Sequence, residues 1–84
     1  MISVIIPTLN AAPSIGATLV SLSPAIIDPI LTEVIISDGG SSDDIEDIAD
    51  ATGAMFLTGP AGRGRQLAAG AAAARGEWLL FLHA

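Results

Sequence analysis

Four short apolar runs, residues 2–6, 33–37, 54–58 and 77–82, alternate with three helix-forming stretches, and this alternation constrains the fold more than any other feature. The first two runs, around SVII and EVIIS, carry β-branched residues at successive positions and are apolar on both faces. Such runs mark strands buried in parallel sheets. After the first, Asn10, Pro13 and Ser14 supply turn and helix-start chemistry, and residues 15–23 form a helix before Pro24. Pro29 interrupts residues 26–32, which read as a loop with a helical turn. The turn cluster DGGSSDD offers N-caps at Ser41, Ser42 and Asp43. Residues 44–52 then place Ile45, Ile48 and Ala49 on one helical stripe, closed by Gly53. Beyond the glycine-rich loop 59–64, residues 65–75 are alanine-rich and helix-forming, with Gly76 as the expected C-terminal cap. The order predicts an α/β fold: a parallel β-α-β-α-β-α-β sheet with right-handed crossovers and helices on both faces.

At 84 residues the chain is one small domain, yet 51% of it is apolar and its mean hydropathy is +0.67. The excess implies apolar surface destined to meet further protein. A net charge of −6 with three cations, all arginine, excludes nucleic-acid binding through the phosphate backbone. The absence of cysteine excludes disulfides and thiolate metal sites. MISVIIPTLN lacks the basic n-region and cleavage pattern of a signal peptide, and no apolar run approaches the ~20 residues of a spanning helix. The expected location is cytoplasmic, with membrane attachment left to any further segment of a longer parent.

In open parallel sheets ligands sit outside the carboxyl ends of the strands. That rule gathers Thr8, Asn10, residues 38–42, the loop of Arg63 and Arg65, and His83 onto one rim. Asp38, followed by Gly39 and Gly40, suits either a hydrogen bond to a ribose or pyrimidine or an ordinary turn that caps the next helix. GPAGRGRQ ahead of a helix suits a diphosphate, held by first-turn N–H groups and guanidinium; its plain alternative is two solvated arginines. His83 reads as a metal ligand, a substrate contact or a satisfied core histidine, the last being favoured for an isolated His. Trp78, Phe81 and the leucines beside them read as core, and Asp43, Asp44, Asp47 and Asp50 as a solvated helix face. The chain has neither Gly-X-Gly-X-X-Gly after its first strand nor any lysine, which excludes dinucleotide and P-loop motifs.

Taken together, these stretches resemble the amino-terminal half of a family 2 glycosyltransferase with the GT-A fold. SVIIPTLN resembles that family's opening strand and Pro-Thr-Leu/Tyr-Asn-Glu turn, and EVIISDGGSSDD its Val-Asp-Asp/Gly-Gly-Ser-Thr-Asp segment. GRGRQLAAGAAAARGEWLLFLHA resembles the loop, helix and strand leading to the Asp-X-Asp metal motif, in the subgroup where that motif reads His-Ala-Asp (found beside radical-SAM and selenium-related proteins). The resemblance implies that Pro7, Thr8 and Leu9 line a base pocket and that Asp38 and Gly39 lie at the base or ribose. It puts Arg63 near the diphosphate with Arg65 a second candidate, and His83 and Ala84 on the first two positions of the metal motif. It further implies an aspartate directly after Ala84, so that residues 1–84 are a half-domain cut before the principal metal ligand and inactive alone. The implied reaction moves a sugar from a UDP- or GDP-linked donor to an acceptor, with inversion and with Mg²⁺ or Mn²⁺. Two departures stand out: Ala11 replaces the family's Glu, and His83 is a softer ligand than aspartate. A stand-alone nucleotide-binding module and a sugar-nucleotide nucleotidyltransferase are the alternatives; the latter wants a glycine- and lysine-rich signature that PTLNAAPS lacks. The fragment reading also implies self-association through the uncovered edge beside the last strand.

Overall fold

The computed structural model describes residues 1–26 and 32–83. Strand β1 (Ile2–Thr8), helix α1 (Ala12–Ile26), β2 (Thr32–Asp38), α2 (Ile45–Thr52), β3 (Met55–Thr58), α3 (Arg63–Ala73) and β4 (Trp78–Phe81) follow in the predicted alternation. All pairings are parallel, and the sheet order is β3-β2-β1-β4. The chain steps outward from β1 to β3, then returns across the sheet to lay β4 on the other side of β1. Right-handed crossovers in opposite directions put their helices on opposite faces, and the reversal leaves a crevice between the carboxyl ends of β1 and β4.

The pleat divides β1 between two layers. Val4 and Ile6 join Ile36, Ile15, Leu19, Ile45 and Ala49 in the core beneath α1 and α2. Ile5 points to the opposite layer, where α3 comes so close that a Cβ on Gly70 would lie 2.4 Å from the Ile5 Cγ2. Gly70 is therefore a packing residue: it lets the helix sit against a stiff, fully buried β-branched side chain.

Several boundaries differ from expectation. Helix α1 begins earlier and runs through Pro24. A proline near a helix C-terminus forfeits one backbone bond and leaves the upstream turns intact, while Pro13 occupies the first turn, where its missing N–H costs nothing. Most of the expected 26–32 loop lies outside the described residues. Helix α3 is shifted toward the N-terminus and stops at extended Ala74, so Gly76 is not its cap. Gly76 serves close approach instead: a Cβ there would lie 2.7 Å from the Met1 carbonyl and 2.7 Å from the Ser3 hydroxyl. Gly53 does close α2, at φ 76°, with its N–H directed at the last-turn carbonyls.

The largest correction concerns β4. Trp78 is 71% exposed, and Leu79, Leu80 and Phe81 are exposed as well. Only Leu82, just beyond the strand, packs against the core. An edge strand pairs on one side, and no described helix spreads over this one, so an apolar run that reads as core is left bare.

Candidate functional site at the carboxyl rim

The register aligns the strand ends. Thr8 of β1 faces Asp38 of β2, which faces Thr58 of β3. Asp38 is 3% exposed. Its Oδ1 accepts from the Thr8 hydroxyl (2.7 Å) and from the Ser41 hydroxyl; its Oδ2 accepts from the N–H groups of Gly40 (3.0 Å) and Ser41 (2.7 Å). Burial opposes ionisation here, but these four donors outweigh it and hold the carboxyl below its usual range. A carboxylate has about four acceptor positions, so Asp38 is filled by its own turn together with Thr8 of β1.

The same turn is laced to the one after β1. Asn10, in the left-handed region at φ 52°, donates its N–H to the Ser41 hydroxyl (2.8 Å) and accepts from the Ser42 N–H (2.9 Å). Asp43 accepts from the first N–H of α1, at Ala12 (3.0 Å), and from Ile45 (3.3 Å). Asp43 thus caps a neighbouring helix and is not part of a purely solvated face. Ser41 and Ser42 bind across to Asp38 and Asn10, whereas the residue at the start of α2 is Asp44, with no side-chain cap bond.

On the β1–β4 side of the rim a cleft of about 180 Å³ is lined by Pro7, Thr8, Leu9, Arg63, Gln66 and His83. It lies at the switch point where ligands enter open α/β sheets. Leu9 and Arg63 are exposed. His83 is exposed too, against the expectation for an isolated histidine; its Nδ1 lies 3.0 Å from Arg63 Nη2, and its Nε2 also touches that group. It follows an edge strand whose end no core covers. The two loop arginines diverge. Arg65 faces a separate recess of about 60 Å³ with Asp38, Thr58, Gly59, Pro60 and Gln66. The rim therefore brings together Pro7, Thr8, Leu9, Arg63 and His83. It places Asp38 and Gly39 behind them, facing inward, and sends Arg65 to the far side.

The residue that sequence reasoning missed is Gln66. It is 7% exposed and stands between the two recesses. Its Nε2 donates to the carbonyls of Thr8 (2.8 Å) and Ser37 (2.9 Å), and its Oε1 accepts from the Gly62 N–H (3.2 Å). A Cβ on Gly39 would come within 2.9 Å of that Oε1, so Gly39 makes room for the glutamine rather than for a ligand alone. The available signal was the spacing of four from Gln66 to Gly70, which puts one polar residue on the sheet-facing side of an alanine-rich helix.

A model of glycosyl transferase family 2 matches residues 3–84. The chain belongs to that family. Curated relatives include the glucosyl-3-phosphoglycerate synthases of Mycolicibacterium paratuberculosis (34% identical, over 96% of this chain and 27% of the relative) and Mycobacterium tuberculosis (40% identical, over 68% and 17%). Among solved structures, the M. tuberculosis synthase with Mn²⁺, UDP and glucosyl-3-phosphoglycerate superposes with a TM-score of 0.83 at 33% identity, covering 99% of this chain and 33% of that one. S. aureus TarS with UDP-GlcNAc gives 0.83 at 26% identity, covering 98% and 26%. This family member thus has the GT-A nucleotide-binding architecture and spans a third or less of the length of these relatives. The synthase structures hold Mn²⁺ with UDP. Among the described residues of the family 2 chain, no three His, Cys, Asp or Glu side chains converge as metal ligands, and His83 is engaged by Arg63. No described helix is long and apolar enough to cross a membrane.

Proposed function

We propose that this chain binds the donor of a glycosyltransferase, a sugar linked to a nucleoside diphosphate, with UDP as the nucleotide. The observation that carries the reading is the cleft at the β1–β4 switch point, where the exposed Arg63 guanidinium and the start of α3 meet the Pro7-Thr8-Leu9 turn. UDP or a UDP-sugar in the structures of relatives supports the choice of nucleotide. The first N–H groups of a helix have no intrahelical acceptor, and with Arg63 they provide positive potential where diphosphate charge would collect. Charge growing on the leaving diphosphate during sugar transfer would be stabilised by the same groups. Pro7 and Leu9 form the apolar side against the base. Thr8, Asp38 and Gly39 act by fixing that turn; a direct Asp38 bond to ribose or base requires the Ser41 hydroxyl to yield its place. Arg65 is the secondary cation. His83 is the ligand this chain would bring to a divalent metal, on the first position of a His-Ala-Asp motif, and the described residues supply no complete metal set. We assign the reaction to the cytoplasm, where the lack of cysteine raises no conflict, and the bare β4 edge to self-association.

Calorimetric titration with UDP, GDP and CMP, each with and without Mn²⁺, tests the reading. UDP should bind with a favourable enthalpy that Arg63→Ala diminishes. Equal, negligible heats for all three nucleotides would refute it.

A further inference from the structure

We propose that Gln66 is a positioning residue: by locking the first turn of α3 to the ends of β1 and β2, it aims Arg63 into the β1–β4 cleft and turns Arg65 away from it. The part of this inference that concerns donor binding rests on the function proposed above.

Both donors of the Gln66 amide and one of its two acceptor positions are engaged. Both N–H bonds go to main-chain carbonyls of different strands, Thr8 and Ser37, and its oxygen takes the Gly62 N–H directly before the helix. A leucine would fill this space without the cost of burying an amide, so the polar side chain brings orientation rather than packing. Two of its three bonds tie the helix start to the strands, at Thr8, the last residue of β1, and at Ser37, next to the last of β2, and the third holds Gly62 ahead of the helix.

Helix geometry converts that tie into aim. Successive residues are about 100° apart, so Arg63, three residues before Gln66, projects about 60° to one side of it, and Arg65, one residue before, about 100° to the other. With Gln66 fixed inward, Arg63 must flank β4 and Arg65 must flank β3. The two recesses show this division: Arg63 with His83 in one, Arg65 with Thr58 and Pro60 in the other. Without the amide bonds, the first turn of α3 is held only by the Gly70–Ile5 packing one turn on and by its own helical bonds, and Arg63 loses the part of its aim at His83 that the strand ends supply.

The test compares wild type, Gln66→Met, Gln66→Glu, Arg63→Ala and the Gln66→Met/Arg63→Ala pair. Without ligand and at constant pH, ring ¹⁵N and ¹H signals of His83 report the neighbouring guanidinium. Arg63→Ala should move them, either Gln66 variant should move them in the same direction, and the double variant should add nothing. With UDP, Gln66→Met and Arg63→Ala should each raise Kd by about tenfold, and the pair should do no worse. Gln66→Glu keeps the volume but sets a carboxylate against the two carbonyls and the diphosphate, so it should weaken UDP binding at least as much as Gln66→Met. In wild type the Gln66 side-chain N–H protons should exchange slowly with solvent, which needs no variant to fold. A purely packing role would lower the unfolding midpoint while leaving the His83 signals and the UDP affinity unchanged, and that result would overturn the proposal. Fast exchange of those protons would do the same. If wild type ignores UDP, the donor reading fails, while the His83 signals still decide whether Gln66 aims Arg63.

Discussion

Replacing Asp38 with Asn removes the charge at the centre of the rim at nearly constant size. Its one oxygen can accept from the Gly40 and Ser41 amides, while its NH2 must donate to the Thr8 and Ser41 hydroxyls, which turn to accept. Four donors converge on the carboxylate: the Thr8 and Ser41 hydroxyls and the Gly40 and Ser41 amides. A hydrogen bond to a charged group is worth roughly 1.5–3 kcal/mol net, against roughly 0.5–1.5 for a neutral pair, so neutralising the acceptor forfeits about 4 kcal/mol in total. Relief from burying a charge returns about half of that, leaving a loss of about 2 kcal/mol. With a urea slope of about 1 kcal/mol/M, the midpoint should fall by about 2 M at neutral pH. The pH dependence is equally specific. The folded-state pKa of Asp38 is depressed, so its stabilisation is complete above about pH 4 and drains away as pH falls through the lower folded value. Asn does not titrate, and the two proteins should therefore converge in strongly acid solution. Urea denaturation followed by circular dichroism between pH 2 and 7 measures both effects. Equal midpoints at pH 7, or a difference that persists undiminished at pH 2, would refute the assignment of these bonds. Because the turn already fills the carboxylate, folded Asp38→Asn should keep UDP affinity within about threefold.

Arg63→Ala should weaken UDP binding by about tenfold and Arg65→Ala by far less, since only Arg63 lines the β1–β4 cleft; parallel titrations compare them. Gly70→Val should cost about 2–3 kcal/mol in chemical denaturation, because its side chain would overlap the fully buried Ile5. Glu33→Gln should cost about 1 kcal/mol at neutral pH. Burial opposes the charge on Glu33, but the Ser3 hydroxyl (2.6 Å), the Arg75 N–H (2.6 Å) and the Arg75 side chain (3.4 Å) hold its pKa below the usual value. That contribution too is present above the unfolded-state pKa and fades in acid, which a pH series of melting temperatures checks.

The first two strands were legible because β-branched runs on both faces have few other uses, the last two as short apolar runs between turn and helix signals, and the parallel order followed from the alternating helices. Asp38, Arg63 and His83 were brought forward by one rule, that ligands sit at strand ends, and the sheet does gather them at one edge. What each side chain does was not legible. Whether Asp38 spends its oxygens on a ligand or on Ser41 depends on a turn geometry that DGGSSDD leaves open. That Arg63 and Arg65 part company follows from the rotation of α3, and that rotation depends on Gln66, which looks like any polar residue on a helix. The composition of the run 77–82 reads as core, and only the resemblance to an amino-terminal half pointed to an uncovered edge beside the last strand, because burial there depends on a neighbour and not on composition.

The central claim is that the crevice between the carboxyl ends of β1 and β4 receives the diphosphate of a nucleotide. Titrating ¹⁵N-labelled protein with UDP tests it most directly. The account predicts saturable shifts concentrated at Leu9, Arg63, Gln66 and His83, with Ser3, Glu33 and Gly76 at the opposite rim unmoved. Shifts centred on that opposite rim, or none at all at millimolar UDP, would contradict it.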